Sequence, residues 1–322
     1  MLNRRTLLAT GLAFGTGVGA ARADTYPDKP IHMIVPFPPG GPIDTMARLA
    51  GKFVTDRLGQ QVVIENRPGA GSTIGTKAVA AAAPDGYTLM FGSSGSLAVA
   101  PSLYVNAGIE PLKMFSPIST FALLPHLMVV AEQVPAKTVG EFVAYAKANP
   151  GKLNYGAGLG TPPHLLGTLF KIKAGIDVTY VPYQGAAQSV IDLVAGRNHY
   201  TIDGTVILMP QVRAGKLRPL AIGRAERWPE LPDIPTLVES GYPDFTLDAW
   251  TGLVAPKGTP ERIIAKLNAA IGEGLKSAEA KTALDNFSSL PKAGTPQEFA
   301  AFLADQEKRW GDLVRLAGAK VE

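Results

Sequence analysis

An α/β fold in two lobes, built on mostly parallel sheets with a hinged cleft between them, is what this sequence predicts, on three observations. Short apolar runs alternate with amphipathic helical patterns along the chain, the order that builds parallel sheets flanked by helices. Glycine- and serine-rich turns recur directly after the runs, at 40–41, 69–75, 92–96 and 156–161, and in open α/β sheets such turns converge at the carboxyl ends of strands. The 322 residues also exceed what one core usually organises, so two lobes are expected.

The elements follow in order. Residues 1–23 read as an export leader: Arg4 and Arg5 form a positive start, 7–21 is apolar and small, and Ala21-Arg22-Ala23 offers a cleavage site before Asp24. The paired arginines also match part of a twin-arginine signal, and the apolar stretch is too short and too glycine-rich for a good membrane span. At 31–36, Ile31, Met33, Ile34 and Val35 make a nearly continuous apolar run, as in a strand buried on both faces. The loop after it is stiffened by Pro36, Pro38 and Pro39, while Gly40 and Gly41 permit positive φ and close backbone approach. Pro42 then suits a first helical turn, so this loop aims free N–H groups and a helix dipole at one point, a place for an anion.

Ile43, Met46, Ala47, Ala50, Phe53, Val54 and Leu58 trace one helical face that stops before Gly59. Further strands are expected at 62–65, 88–92, 127–131, 153–155, 178–181, 200–203, 217–222 and 250–255. Phe299, Phe302, Leu303, Trp310, Leu313, Val314 and Ala317 predict a last amphipathic helix, and the proline-rich stretch 228–243 reads as a passage between lobes. Lobe boundaries are expected near Leu124 and Ala225: residues 24–124 with 226–322 form one lobe and 125–225 the other.

Composition removes several function classes. Without cysteine there are no disulfides, thiolate chemistry or cysteine metal sites. Three of the 31 basic residues, Arg4, Arg5 and Arg22, sit in the leader, so the remainder is nearly balanced against 27 acids. No basic stripe interleaved with aromatics appears, which argues against nucleic acid as a partner. Gly92-Ser93-Ser94-Gly95-Ser96 is no nucleophile elbow, because Ser96 stands where the last glycine belongs. His32, His126, His164 and His199 lack the spacing of a helical zinc pair, and the 69–75 turn lacks dinucleotide spacing. No metal or cofactor is expected.

PFPPGGPIDTMAR at 36–48 and ENRPGAGSTIG at 65–75 resemble the Bug-type receptors of tripartite tricarboxylate transporters. Further matching segments are APDGYTL at 83–89, YGAGLGTPPHL at 155–165, VPYQGAAQSVIDLVAGR at 181–197, IDG at 202–204 and WTGLVAPKGTP at 250–260, so the resemblance spans nearly the whole chain after the leader. It implies a type II-like periplasmic binding protein that closes on a small organic acid and presents it to membrane subunits of a transporter, with no bond-breaking chemistry. An exported ligand-sensing domain or a periplasmic hydrolase are the alternatives, and a monomer is expected. Pro163, Gln184 and Gln188 depart from the family pattern, which leaves the carboxylate open.

Carried over position by position, the resemblance implies a ligand shell of Phe37, Pro38, Gly40, Gly41, Asp44, Ser93 and Ser94 in the first lobe. Gly158, Thr161, His164, Tyr183 and Asp203 face them from the second. The turns at 38–44, 92–96 and 156–161 contain no Lys or Arg, so an anion there meets dipoles and neutral donors. Each residue also has a plainer reading. Asp44 can serve the helix dipole or orient a loop N–H, Asp203-Gly204 can be a turn, and Thr161 before two prolines reads as an N-cap hydroxyl. His164 can be a packing residue, and Tyr183 a core aromatic.

Overall fold

The computed structural model describes residues 26–321 and contains two sheets; the expected leader lies outside the described residues. In the first lie β1 (Ile31–Val35), β2 (Val62–Asn66), β3 (Thr88–Ser93), β4 (Phe115–Leu124), β10 (Ala249–Pro256) and β11 (Leu290–Pro291), in the spatial order β11-β4-β10-β3-β1-β2. The second holds β5 (His126–Ala131), β6 (Leu153–Gly158), β7 (Val178–Tyr183), β8 (Tyr200–Gly204) and β9 (Leu217–Ile222), in the order β7-β6-β8-β5-β9.

Around the first sheet lie α1 (Pro42–Leu58), α2 (Thr73–Ala80), α3 (Ala100–Leu103), α4 (Pro111–Met114), α9 (Glu261–Gly274), α10 (Ala278–Asn286) and α11 (Pro296–Leu316). The second carries α5 (Val139–Ala148), α6 (Pro162–Ala174), α7 (Ala186–Val194) and α8 (Thr205–Arg213). The α/β two-lobed expectation holds, but the sheets are mixed instead of mostly parallel. β1 pairs parallel with β2 and β3, and β6 with β7 and β8, whereas β10 and β5 run antiparallel to the neighbours on both their sides.

The crossings explain the reversal. The loops after β1, β2, β3 and β6 meet at one cavity, so both sheets turn the carboxyl ends of those strands toward each other. A chain that leaves one sheet at that edge enters the other from the same edge, against its parallel strands; β5 and β10 are the entering strands. β4 was not legible as a strand. Its Pro117 lies where the pairing with β10 slips register, a bulge that accommodates the missing N–H.

The core forms two apolar clusters. Ile31, Met33 and Val35 of β1 face one of them, closed by Met46, Phe53 and Val54 of α1 and by Leu267 and Ile271 of α9. Ile34 and Met90 face the other, which continues through Trp250, Phe299 and Trp310 to Val129, Phe170 and Tyr200 of the second sheet. Burying the side chains of the α11 stripe stabilises by about 1.5–3 kcal/mol each, which is why this helix can tie both sheets together. The stretch after β9 is irregular but packed: Trp228, Leu237 and Phe245 are buried, and Leu237 N–H donates to the Ile222 carbonyl. Across this return, Arg224 and Asp248 form an ion pair at 3.3 Å, with the Arg224 guanidinium 5.7 Å from the Trp228 ring centre.

Candidate functional site

A cavity of about 410 Å³ opens where four loops converge: 36–38 after β1, 68–72 after β2, Gly95 after β3, and 159–162 after β6. Val99, Ala100, Leu103 and Tyr104, on the helical segment that follows Gly95, complete its wall. Two glycines set how closely these loops approach. A Cβ on Gly71, at φ +60, would stand 2.1 Å from the Tyr104 ring. One on Gly160, at φ +71, would stand 2.4 Å from a methyl of Leu103, so the second lobe's turn rests directly on the first lobe's helix.

The β2–α2 turn is strained. Ala70 and Ser72, at φ 44 and 79, hold left-handed conformations without being glycine, and both sit in the loop that borders the cavity. Such conformations cost about 1–3 kcal/mol each and concentrate at functional loops. The helix starts at this edge are also unfinished. The N-cap residues after β1, β2, β3, β6, β7 and β8 are Gly41, Ser72, Ser94, Thr161, Gly185 and Gly204, and none makes a side-chain capping bond. No side chain takes the first-turn N–H groups there, which leaves to a ligand or water those not already removed by Pro42, Pro162 and Pro163 or bonded within the turn, as Thr73 N–H is to the Ala70 carbonyl.

Of the residues expected at the site, Phe37, Pro38 and Thr161 line this cavity. Gly40 and Gly41 continue the same loop into α1, Ser93 and Ser94 are buried where β3 passes into its helix, and Gly158 opens the turn that Thr161 closes. Thr161 occupies the N-cap position of α6 but does not cap. Pro162 and Pro163 remove the first two N–H groups, and its hydroxyl donates instead to the Gly158 carbonyl at 2.7 Å.

Asp44, His164, Tyr183 and Asp203 sit off the cavity wall. Asp44 is buried, and its carboxylate accepts from Gly40 N–H at 3.0 Å, Asn66 Nδ2 at 2.9 Å, and Arg48 Nε and Nη2 at 3.0 and 3.1 Å. Burial acts to raise its pKa, yet the bonds from Arg48, Gly40 and Asn66 outweigh it and hold the carboxyl below its ordinary value. It therefore shapes the loop from behind. His164 accepts from Gly160 N–H at 3.2 Å through Nδ1, stacks on Tyr180 at 4.2 Å, and is held neutral by burial, which lowers its pKa. Tyr183 donates to Asp192 at 2.7 Å and accepts from Asn198 Nδ2 at 3.0 Å. Asp203, one residue before the end of β8, is almost fully buried; desolvation pushes its pKa up to about 6, opposed only by the Gly204 N–H at 2.6 Å.

Sequence reasoning named the turns at 69–75, 92–96 and 156–161 but not their individual wall residues such as Gly71 and Leu159, and it missed the helical wall of Val99, Ala100, Leu103 and Tyr104 altogether. In the sequence they belong to an ordinary apolar run, and nothing local distinguishes a Tyr that packs on Gly71 from one in the core.

The chain matches the model of the tripartite tricarboxylate transporter family receptor over residues 46–318. It is 39% identical over 322 residues to Protein BugT of Bordetella pertussis, covering 99% of each chain. Among solved structures it resembles an R. palustris protein determined with adipate, at 35% identity and TM-score 0.79, over 92% of this chain and 100% of that one. It is also similar to MatC of Rhodopseudomonas palustris with bound malate, at 37% identity and TM-score 0.74, covering 90% and 100%. The chain belongs to the family of tripartite tricarboxylate transporter receptors.

Proposed function

We propose that this receptor captures a small carboxylate between its two lobes in the periplasm and delivers it to the membrane subunits of a tripartite tricarboxylate transporter. The observation that carries the reading is the cavity at the shared carboxyl edge of both sheets, bordered by helix starts whose N–H groups no side chain caps. Relatives determined with adipate and malate point to the same ligand chemistry. The lobes are 24–124 with 226–322, and 125–225, and the chain crosses between them at Pro125 and beside Ala225, next to the Arg224–Asp248 pair.

Phe37, Pro38 and Thr161 touch the ligand in this reading, with Gly41, Gly158 and the hydroxyls of Ser93 and Ser94 presenting donors, while Gly40, its N–H held by Asp44, gives the close backbone approach. Asp44, His164 and Tyr183 hold those loops in place. Differential affinity for the closed arrangement drives closure, and the ligand leaves chemically unchanged. Export removes the leader near Ala23, so the amino terminus of the periplasmic form is Asp24.

A thermal-shift panel of mono-, di- and tricarboxylates on the purified protein tests this. A ligand at a hundred times its Kd adds about 2.7 kcal/mol of stability. A shift with the acid recovered intact supports capture; consumption of the acid, or no shift with any acid, overturns it. Uptake of the same acid by vesicles carrying the membrane subunits, only when the receptor is added, tests delivery.

A further inference from the structure

We infer that the ligand is a carboxylate with an apolar body, an aromatic ring or a methylene chain, of which only one charged end is enclosed; this rests on the receptor reading above. Among the described residues, no Lys, Arg, His, Asp or Glu side chain lines the cavity. One carboxylate can be met there by loop N–H groups and helix dipoles, but a second enclosed carboxylate would lose its hydration without a cation to replace it. The wall is instead made of the rings of Phe37 and Tyr104, the side chains of Leu103 and Leu159, and prolines from three of the loops. Tyr104 is a fixed surface, since its ring lies against the backbone of Gly71.

Polar side chains on the wall are few and partly spent. The Thr161 hydroxyl already donates to Gly158, so it can offer a ligand only lone pairs, and a hydroxylated body would find few matching groups. The rim extends the same chemistry. Leu159 lines the cavity yet is 54% exposed, and Ile74, also 54% exposed, stands against Gly69 of the bordering loop. Large apolar side chains left in water at the mouth of an apolar cavity are surface that an apolar ligand body covers.

Isothermal titration of the protein with 3-phenylpropionate, benzoate and hexanoate, against malate and citrate, tests the inference. The apolar acids should bind at least tenfold more tightly than malate or citrate, with a negative heat-capacity change. Leu159→Asn, at an exposed position that folding tolerates, should weaken the tightest apolar acid about tenfold. Malate or citrate binding best would overturn the inference and leave the receptor reading standing. An unchanged affinity in Leu159→Asn would also overturn it, whereas silence from every acid in both series would take the receptor reading down with it.

Discussion

Thr138, Ser277 and Thr295 each turn a side-chain oxygen back onto a first-turn N–H, of Glu141, Ala280 and Glu298 respectively, and Thr295 with Glu298 completes a reciprocal capping box. At the edge where the sheets meet, Gly41, Ser72, Ser94 and Thr161 occupy the same position and do nothing of the kind. The first set starts helices α5, α10 and α11, none of which borders the cavity; the second set starts the helices of the loops that do. A cap satisfies the helix from within and stabilises it by about 0.5–2 kcal/mol. An uncapped start forgoes that stability; α4 and α9, from Glu110 and Pro260, are uncapped away from the cavity as well, so it is the position of the start beside the cavity that gives a free donor something to meet. The same edge carries the strained Ala70 and Ser72 and the desolvated Asp203, so it departs from the stable choice in three separate ways.

This division can be broken or sharpened by substitution. The largest effect is expected from Gly71→Ala, which forces a side chain into a left-handed position and against the Tyr104 ring. It should cost about 2–5 kcal/mol and displace the cavity wall, read as a lower midpoint in urea together with lost ligand binding. A variant that keeps both would detach this loop from the site.

Asp203→Asn comes next, with a sign set by its raised pKa. Because the folded carboxyl holds its proton up to about pH 6 and the unfolded one releases it near the ordinary value, stability falls as pH rises between them. Above that window ionisation costs roughly 2–3 kcal/mol. The Asn variant should therefore gain stability over the parent at pH 8, and the gain should disappear by pH 4 in denaturant titrations. A parent that is the more stable of the two at pH 8 would show that its carboxylate is well solvated or paired.

Thr295→Ala removes the capping box and should cost about 1 kcal/mol while leaving ligand affinity unchanged, measured by thermal melts and titration calorimetry on one preparation. The smallest shift is expected from Gly41→Ser, which installs a cap where the backbone is already extended at φ −81 and ψ 171 and the added Cβ has room. Stability should rise by a few tenths of a kcal/mol, and ligand affinity should fall because the new hydroxyl occupies the donor. A rise in both would mean that α1 offers its ligand nothing.

Much of the site's scaffold was legible. The 31–36 run, the Pro-Gly loop and α1 follow from local rules, and α1 ends where Gly59 predicts. Asp44 shows the limit: the sequence offered a helix-dipole role and ligand contact, with the matched motif favouring the ligand, and only Asn66, 22 residues away, and Gly40 N–H together reveal that its lone pairs are engaged. Thr161 was readable as a position but not as a role, because the bond to Gly158 competes with capping only once the turn has formed. Tyr104 carried no signal at all.

By itself, then, the amino-acid order determined the α/β alternation, the apolar faces of α1 and α11, the glycine-proline turns and the family, since each depends on residues within a turn or two of one another or on motif spelling. Tertiary structure decided the reversed strands β5 and β10, the bulge at Pro117, the apolar wall from Leu103 and Tyr104, and the burial that raises the Asp203 pKa. These depend on which distant segments share a sheet or exclude the same water, and neither periodicity nor propensity carries that information.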